Sequence, residues 1–293
     1  MAAGAVIRLG RILNSSDRRT LIGTLGHGGL RGPIEGEGPA KDLAAMFGRL
    51  SLVGLDAVII SPGMLHANAA EFAGGNGTGL IVGLQWNNNF LNFPFRSGPS
   101  AGSQFEGRAA MAGSVEDALS LGADGILTYI FLGSSDAEAE ARQVAQNFEL
   151  SRECERFGVV RIIETMIRGR GVSKEDETNP DYVVAAARIA YEVGCDIVKI
   201  EWPGSEAALA RVVKACPAPI VVAGGDHVPE DEFVLMARGV VNAGGSGLVV
   251  GRNIVQATKR EELVRELSSV VHGRTMRHQS FEGRPSEALQ DHA

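Results

Sequence analysis

Residues 194–201 read Gly194-Cys195-Asp196-Ile197-Val198-Lys199-Ile200-Glu201. A glycine that stops a helix is followed by a polar joint and then by a run of apolar residues with one lysine inside it. That is the signature of a tight turn from helix into strand, and of a strand apolar on both faces. The same grammar recurs at Gly122-Ala123-Asp124 and at Gly244-Gly245-Ser246-Gly247. Working outward, eight short apolar runs are expected as strands: Thr20–Leu25, Asp56–Ser61, Gly79–Gln85, Gly125–Phe131, Val159–Met166, Asp196–Glu201, Ala218–Ala223 and Gly247–Gly251. Their near-continuous hydrophobicity suits a parallel sheet covered on both sides.

Amphipathic segments alternate with them, over Ala40–Val53, Val115–Leu121, Asp136–Phe157, Asp181–Val193, Ser205–Ala215, Glu230–Ala243 and Lys259–Val271. Ser114 and Asp136 stand where N-caps belong. Eight β/α units in 293 residues predict a (β/α)8 TIM barrel. An open doubly wound sheet is the alternative. It is disfavoured because composition does not shift before residue 272 and no G-x-G-x-x-G follows the first strand. A single barrel domain over 1–272 is therefore expected, opened by a short N-terminal helix. A polar, mobile C-terminal tail is expected over 273–293. Two long loops, Pro62–Thr78 and Trp86–Gly113, leave C-terminal strand ends, where barrels build their sites.

Composition narrows the function classes. With 44% hydrophobic and 22% charged residues the chain is not a disordered one. No run of about 18 apolar residues is free of charges or glycine, so no membrane partner is expected. A net charge of −7 supplies no basic footprint for nucleic acid. The three cysteines, Cys154, Cys195 and Cys216, form no C-x-x-C pair, which argues against a zinc site or a disulfide framework and for a reducing cytoplasm.

Chemistry is then sought at the strand ends. Lys199 is the most informative, because lysine is rarely buried without a partner and burial favours the free amine that Schiff-base chemistry needs. The plainer reading is a strand-end lysine paired with Glu201 or Glu164. Glu164, in Arg161-Ile162-Ile163-Glu164-Thr165-Met166, either moves a proton or only neutralises Lys199. Glu201 lies two residues past Lys199, on the same side of the strand, as a rim ion pair or a substrate contact. Gly224 and Gly225 end the seventh strand, and Gly251-Arg252 ends the eighth. Barrels often bind phosphate at those loops, and Arg252 adds a charged fork. His27, in a flexible Gly26-His27-Gly28-Gly29 turn, is a candidate substrate contact, as are Trp86 and Asn87; incidental loop residues are the alternative. His227 and Asp226 lack a third ligand at matching spacing, so no metal is expected.

These residues resemble a known group. Gly194-Cys195-Asp196-Ile197-Val198-Lys199-Ile200, Ala223-Gly224-Gly225, and Ala243 through Gly251-Arg252-Asn253-Ile254 are similar to motifs of the class I, Schiff-base aldolases. Arg11-Ile12-Leu13-Asn14 and Gly26-His27-Gly28-Gly29-Leu30 add to the likeness, which runs from Arg11 to Gln256. The group is the superfamily of archaeal-type fructose-bisphosphate, deoxyribose-phosphate and tagatose-bisphosphate aldolases. The resemblance implies that Lys199 forms the imine and that Gly224, Gly225, Gly251 and Arg252 bind a substrate phosphate. It also implies that no metal or other cofactor takes part and that the chain forms a homo-oligomer. Two departures stand out. Gly26 occupies a position usually held by Asp, and Met166-Ile167-Arg168 offers no Tyr at the end of the fifth strand. Glu164 instead looks like the glutamate of the tagatose-bisphosphate branch, so the proton relay is Glu164 or a group the motifs do not identify. The expected activity is aldol cleavage or addition on a phosphorylated ketose. The alternatives are transaldolase-like transfer through the same imine, or a sugar-phosphate-binding barrel that has lost its proton relay.

Overall fold

An apolar strand is stable only if both its faces and both its edges are covered, and a closed ring of parallel strands inside a ring of helices covers all four. The computed structural model describes residues 2–73, 77–87 and 108–273. Its strands are β1 (Thr20–Thr24), β2 (Ala57–Ile60), β3 (Gly79–Gly83), β4 (Gln85–Asn87), β5 (Ala109–Met111), β6 (Gly125–Leu132), β7 (Val160–Ile167), β8 (Ile197–Ile200), β9 (Ile220–Ala223) and β10 (Gly247–Val250). Eight of them close a barrel in the order β1-β10-β9-β8-β7-β6-β3-β2, each pair parallel. This is the expected (β/α)8 TIM barrel.

The helices lie where the sequence puts them, within one or two residues: Ala40–Ser51, Val115–Ser120, Ala137–Phe157, Pro180–Val193, Glu206–Ala215, Glu230–Asn242 and Arg260–His272. Ser114, Asp136 and Ser205 cap three of them by accepting N–H bonds from Asp117, Ala139 and Ala208. One apolar layer fills the space between helices and sheet, with Phe47 and Phe233 fully buried in it. A second fills the barrel interior. The expected N-terminal helix, Ala3–Ile12, closes the barrel floor, because Leu9, Ile12 and Leu13 join that interior layer.

One strand departs from expectation. Gly79–Gln85 reads as a single run, yet the strand breaks at Leu84, and Gln85 begins β4, which pairs antiparallel with β5. The main chain of β3 therefore pairs with β6 only as far as Leu127. The upper half of β6 needs other partners, since buried N–H groups are costly to leave unpaired. Side chains supply them: Gln85 Oε1 accepts from Tyr129 N at 2.6 Å and Gln143 Oε1 accepts from Phe131 N at 3.4 Å. His27, expected in a flexible turn, instead opens a one-turn helix, His27–Arg31. Residues 88–107, within the long loop after Trp86, and 274–293, nearly all of the expected tail, lie outside the described residues. The three cysteines are buried and free. Among the described residues no helix is long and apolar enough to cross a membrane.

Candidate active site

Register brings three interior-facing residues to one level of the barrel. Tyr129 on β6 is opposite Glu164 on β7, and Glu164 is opposite Lys199 on β8. Lys199 Nζ donates to Glu164 Oε2 at 2.7 Å, with the two residues only 8% and 6% exposed. Removing two ions from water is seldom repaid in full by their attraction, so such a pair is weak evidence of a purely structural role.

Of the two carboxylates that could pair with Lys199, the fold selects Glu164. Glu201 lies one residue beyond the end of β8, where strand alternation no longer fixes its direction. Its Oε1 instead accepts from Arg168 at 2.5 Å. Arg168 also faces Glu177 at 3.6 Å, and Lys174 donates to Glu177 at 2.6 Å. Burial pushes the Glu201 carboxyl above its ordinary pKa, against the opposing pull of Arg168.

The Gly224–Asp226 and Gly251–Arg252 turns meet across β9 and β10. A Cβ on Gly251 would stand 2.3 Å from His27 Cε1 and 2.9 Å from Thr24 Cγ2, so only glycine lets the β1 and β10 ends close together. Gly225 adopts φ +69°, in the left-handed region that suits glycine. Buried Asn253 staples the two turns: Nδ2 donates to the carbonyls of Gly224 at 2.8 Å and Asp226 at 3.1 Å, and Oδ1 accepts from Val228 N at 3.0 Å. Arg252 is ion-paired with Asp226, a carboxylate whose side chain is 86% exposed. An anion with better geometry can displace a partner so placed.

Lys199 and Glu164 line two adjoining cavities. The first, of about 370 Å³, brings together Lys199, Glu164, His27, Glu201, Gly224, Gly225, Gly251 and Arg252. The second, of about 170 Å³, is lined by the same lysine and glutamate with His27, Gln85, Trp86 and Tyr129. Of the residues put forward from the sequence as catalytic or substrate-binding, Asn87 alone lines neither cavity; it is buried in β4. Arg168, Met166, Thr24 and Asn253 were not singled out. Asn253 follows the Gly251-Arg252 motif directly, whereas Arg168 and Met166 are recognisable only once β7 is in place. Among the described residues no three His, Cys, Asp or Glu side chains converge as a metal site requires.

This is the fold of a class I aldolase. Residues 20–257 match the model of the DeoC/LacD family aldolase, and the chain belongs to that family. It is 32% identical to the 2-amino-3,7-dideoxy-D-threo-hept-6-ulosonate synthase of Halobacterium salinarum, over 92% of each chain. It is 28% identical to the 2-amino-4,5-dihydroxy-6-oxo-7-(phosphonooxy)heptanoate synthase of Streptomyces griseus, over 91% of this chain and 89% of that one. An archaeal fructose-1,6-bisphosphate aldolase, solved with its catalytic lysine covalently bound to the carbinolamine intermediate, superposes with a TM-score of 0.77. That pair is 26% identical, and the alignment covers 92% of this chain and all of that one. The family resemblance read from the motifs is thereby shown.

Proposed function

We propose that this aldolase acts through an imine on Lys199, formed with a phosphorylated ketose. The observation that carries the reading is the buried Lys199–Glu164 pair, open to both cavities and facing the glycine turns and Arg252. Glu164 takes a proton from the Lys199 ammonium. The freed Nζ adds to the ketone, and Glu164 returns the proton to the departing hydroxyl, so that loss of water leaves an iminium beside an ionised Glu164. In cleavage, the hydroxyl β to the iminium gives its proton to Glu164, and the electrons of the breaking C–C bond flow into the iminium. An aldehyde leaves and an enamine remains. Glu164 returns the proton to the enamine carbon, and water releases the shortened ketone and restores the amine. Addition runs the same steps backwards. No metal or other cofactor enters this cycle.

Gly224, Gly225, Gly251 and Arg252 bind the phosphate, so that binding at a distance orients the reacting carbon. His27 and Trp86 contact substrate directly, Asn87 supports Trp86 through β4, and Glu201 holds Arg168 at the rim. Two relatives bear the names of synthases of seven-carbon products, one of them phosphonooxy-substituted, which favours bond formation as the working direction here. We take the protein to work in the cytoplasm as a homo-oligomer, with residues 1–272 acting as one catalytic unit.

The test is borohydride trapping with a panel of ketose phosphates that includes dihydroxyacetone phosphate, read by peptide mass spectrometry. A reduced adduct on the Lys199 peptide, absent from Lys199→Ala, is the expected result. Undiminished labelling or turnover in Lys199→Ala refutes the assignment. Tight phosphosugar binding without any adduct would favour a binding barrel instead.

A further inference from the structure

Lys199 divides the barrel mouth into two lobes of unlike chemistry. The lobe over β8–β10 carries the guanidinium groups of Arg168 and Arg252 together with Lys174. The lobe on the β1–β6 side, about 170 Å³, is walled by Leu30, Ile59, Leu127, Met166 and Trp86. Ile59, Leu127 and Met166 belong to the apolar barrel interior, and Leu30 packs on it. Of the polar lining residues, Gln85 is committed to the fold, its Oε1 accepting from Tyr129 N and its Nε2 donating to Gln146 at 3.4 Å, while Thr24, Ser61 and Tyr129 add hydroxyl groups but no charge. Among the described lining residues, His27 is the one basic side chain besides Lys199.

We propose that this lobe is the subsite for the aldehyde partner and that it takes an uncharged, largely apolar aldehyde. The inference rests on the imine reading above. Aldol chemistry at Lys199 joins two fragments. The phosphorylated one is drawn to Arg252, so the other occupies the remaining lobe that shares Lys199 and Glu164. There the enamine carbon attacks the aldehyde carbon, the carbonyl π pair moves to oxygen, and that oxygen takes the proton of Glu164. A phosphate or carboxylate on the aldehyde would give up its water among Leu30, Ile59, Leu127 and Met166, and the described lining residues include no arginine to receive it. Size fits as well. An apolar cavity of about 150 Å³ holds benzene, so this lobe suits roughly six to eight non-hydrogen atoms.

Two measurements decide the matter. The first titrates the protein with benzyl alcohol, which has the size of benzaldehyde but no carbonyl, by ligand-observed proton NMR. Saturable binding is expected, weakened at least tenfold by Ile59→Phe, which fills the lobe. It is weakened at least threefold by Trp86→Ala at the rim, where Trp86 is 47% exposed, and circular dichroism checks that this variant is folded. No binding, or affinity unchanged in both variants, overturns the proposal. The second uses whichever ketone phosphate gives a Lys199 adduct as donor, and compares benzaldehyde and butanal with glyceraldehyde 3-phosphate as acceptors. The expected kcat/KM is at least tenfold higher for the uncharged aldehydes, and the reverse order overturns the proposal. Absence of any Lys199 adduct would remove the imine reading, while the alcohol titration would still decide what the lobe binds.

Discussion

Replacing Glu164 by Gln leaves the Lys199 ammonium buried without its counter-charge, 2.7 Å from a neutral amide. Breaking one side of a buried pair typically destabilises by about 3–5 kcal/mol. A ceiling exists, because any lysine can be carried neutral. Releasing the proton at pH 7 from an ordinary value near 10.4 requires about 4.6 kcal/mol. In a barrel of this size each kcal/mol lowers Tm by roughly 2 °C, so Glu164→Gln and Lys199→Met should each fall by about 6–10 °C. The double variant Glu164→Leu/Lys199→Met removes both desolvation penalties and adds apolar contact. It should match the wild type or exceed it by about 1–4 kcal/mol, a Tm gain of up to roughly 8 °C. Calorimetric unfolding of the wild type, Glu164→Leu, Lys199→Met and the double variant closes the cycle, with Glu164→Gln run beside them and turnover measured on each. A double variant that is stable and inactive means that the pair is kept for chemistry at the expense of stability. A double variant that loses the sum of the two single effects would refute the argument, and Lys199 and Glu164 would then be core structure.

Other outcomes follow from the same geometry. Arg252→Ala should raise KM for a phosphorylated substrate by about 10- to 100-fold, the range for one lost charged hydrogen bond, with a smaller effect on kcat. Asp226→Asn should lower KM by releasing Arg252 from its exposed partner; an unchanged KM in both variants would remove Arg252 from the phosphate site. At the barrel floor, His272 donates or accepts at 2.7 Å from Asp17 and 3.0 Å from Asp56. Burial pushes its pKa down, but the hydrogen bonds and charges of Asp56 and Asp17 outweigh this and hold it above the ordinary 6.5. Asp17 is held below 3.8, because the His272 and Arg19 contacts outweigh its burial. The His272 contribution to stability is thus complete below pH 6.5 and is lost as pH rises through the elevated value. The Asp17 contribution is present above pH 3.8 and is lost on acidification below it. Melting temperatures between pH 6 and 9 should therefore fall in the wild type and fall less in His272→Gln; equal slopes would contradict this. Finally, burial pushes the Cys154 thiol up to about 12 and raises Cys195 and Cys216 as well, so a thiol reagent should label none of the three until the protein unfolds.

Much of this was written in local sequence. The strands announce themselves because a parallel barrel demands apolar residues on both faces, and the helices because their caps and stops are short-range features such as Ser114 and Gly194. Lys199, Glu164 and the two glycine turns were legible because each breaks a local rule: charge inside an apolar strand, or glycine where a strand should end. What the sequence left open was pairing. Glu164 and Glu201 were both candidate partners for Lys199, and only the β7–β8 register and the end of β8 at Ile200 gave the lysine to one and Arg168 to the other. The break at Leu84 was equally hidden, because it arises from β6 outrunning β3, a relation between segments about 40 residues apart. The apolar lobe beside Lys199 is likewise a tertiary product. Leu30, Ile59, Leu127 and Met166 read as ordinary core residues one at a time, and become a cavity only when three strands and the one-turn helix after β1 converge on one barrel mouth. Local chemistry thus determined which residues were unusual, while closure of the ring determined which of them met.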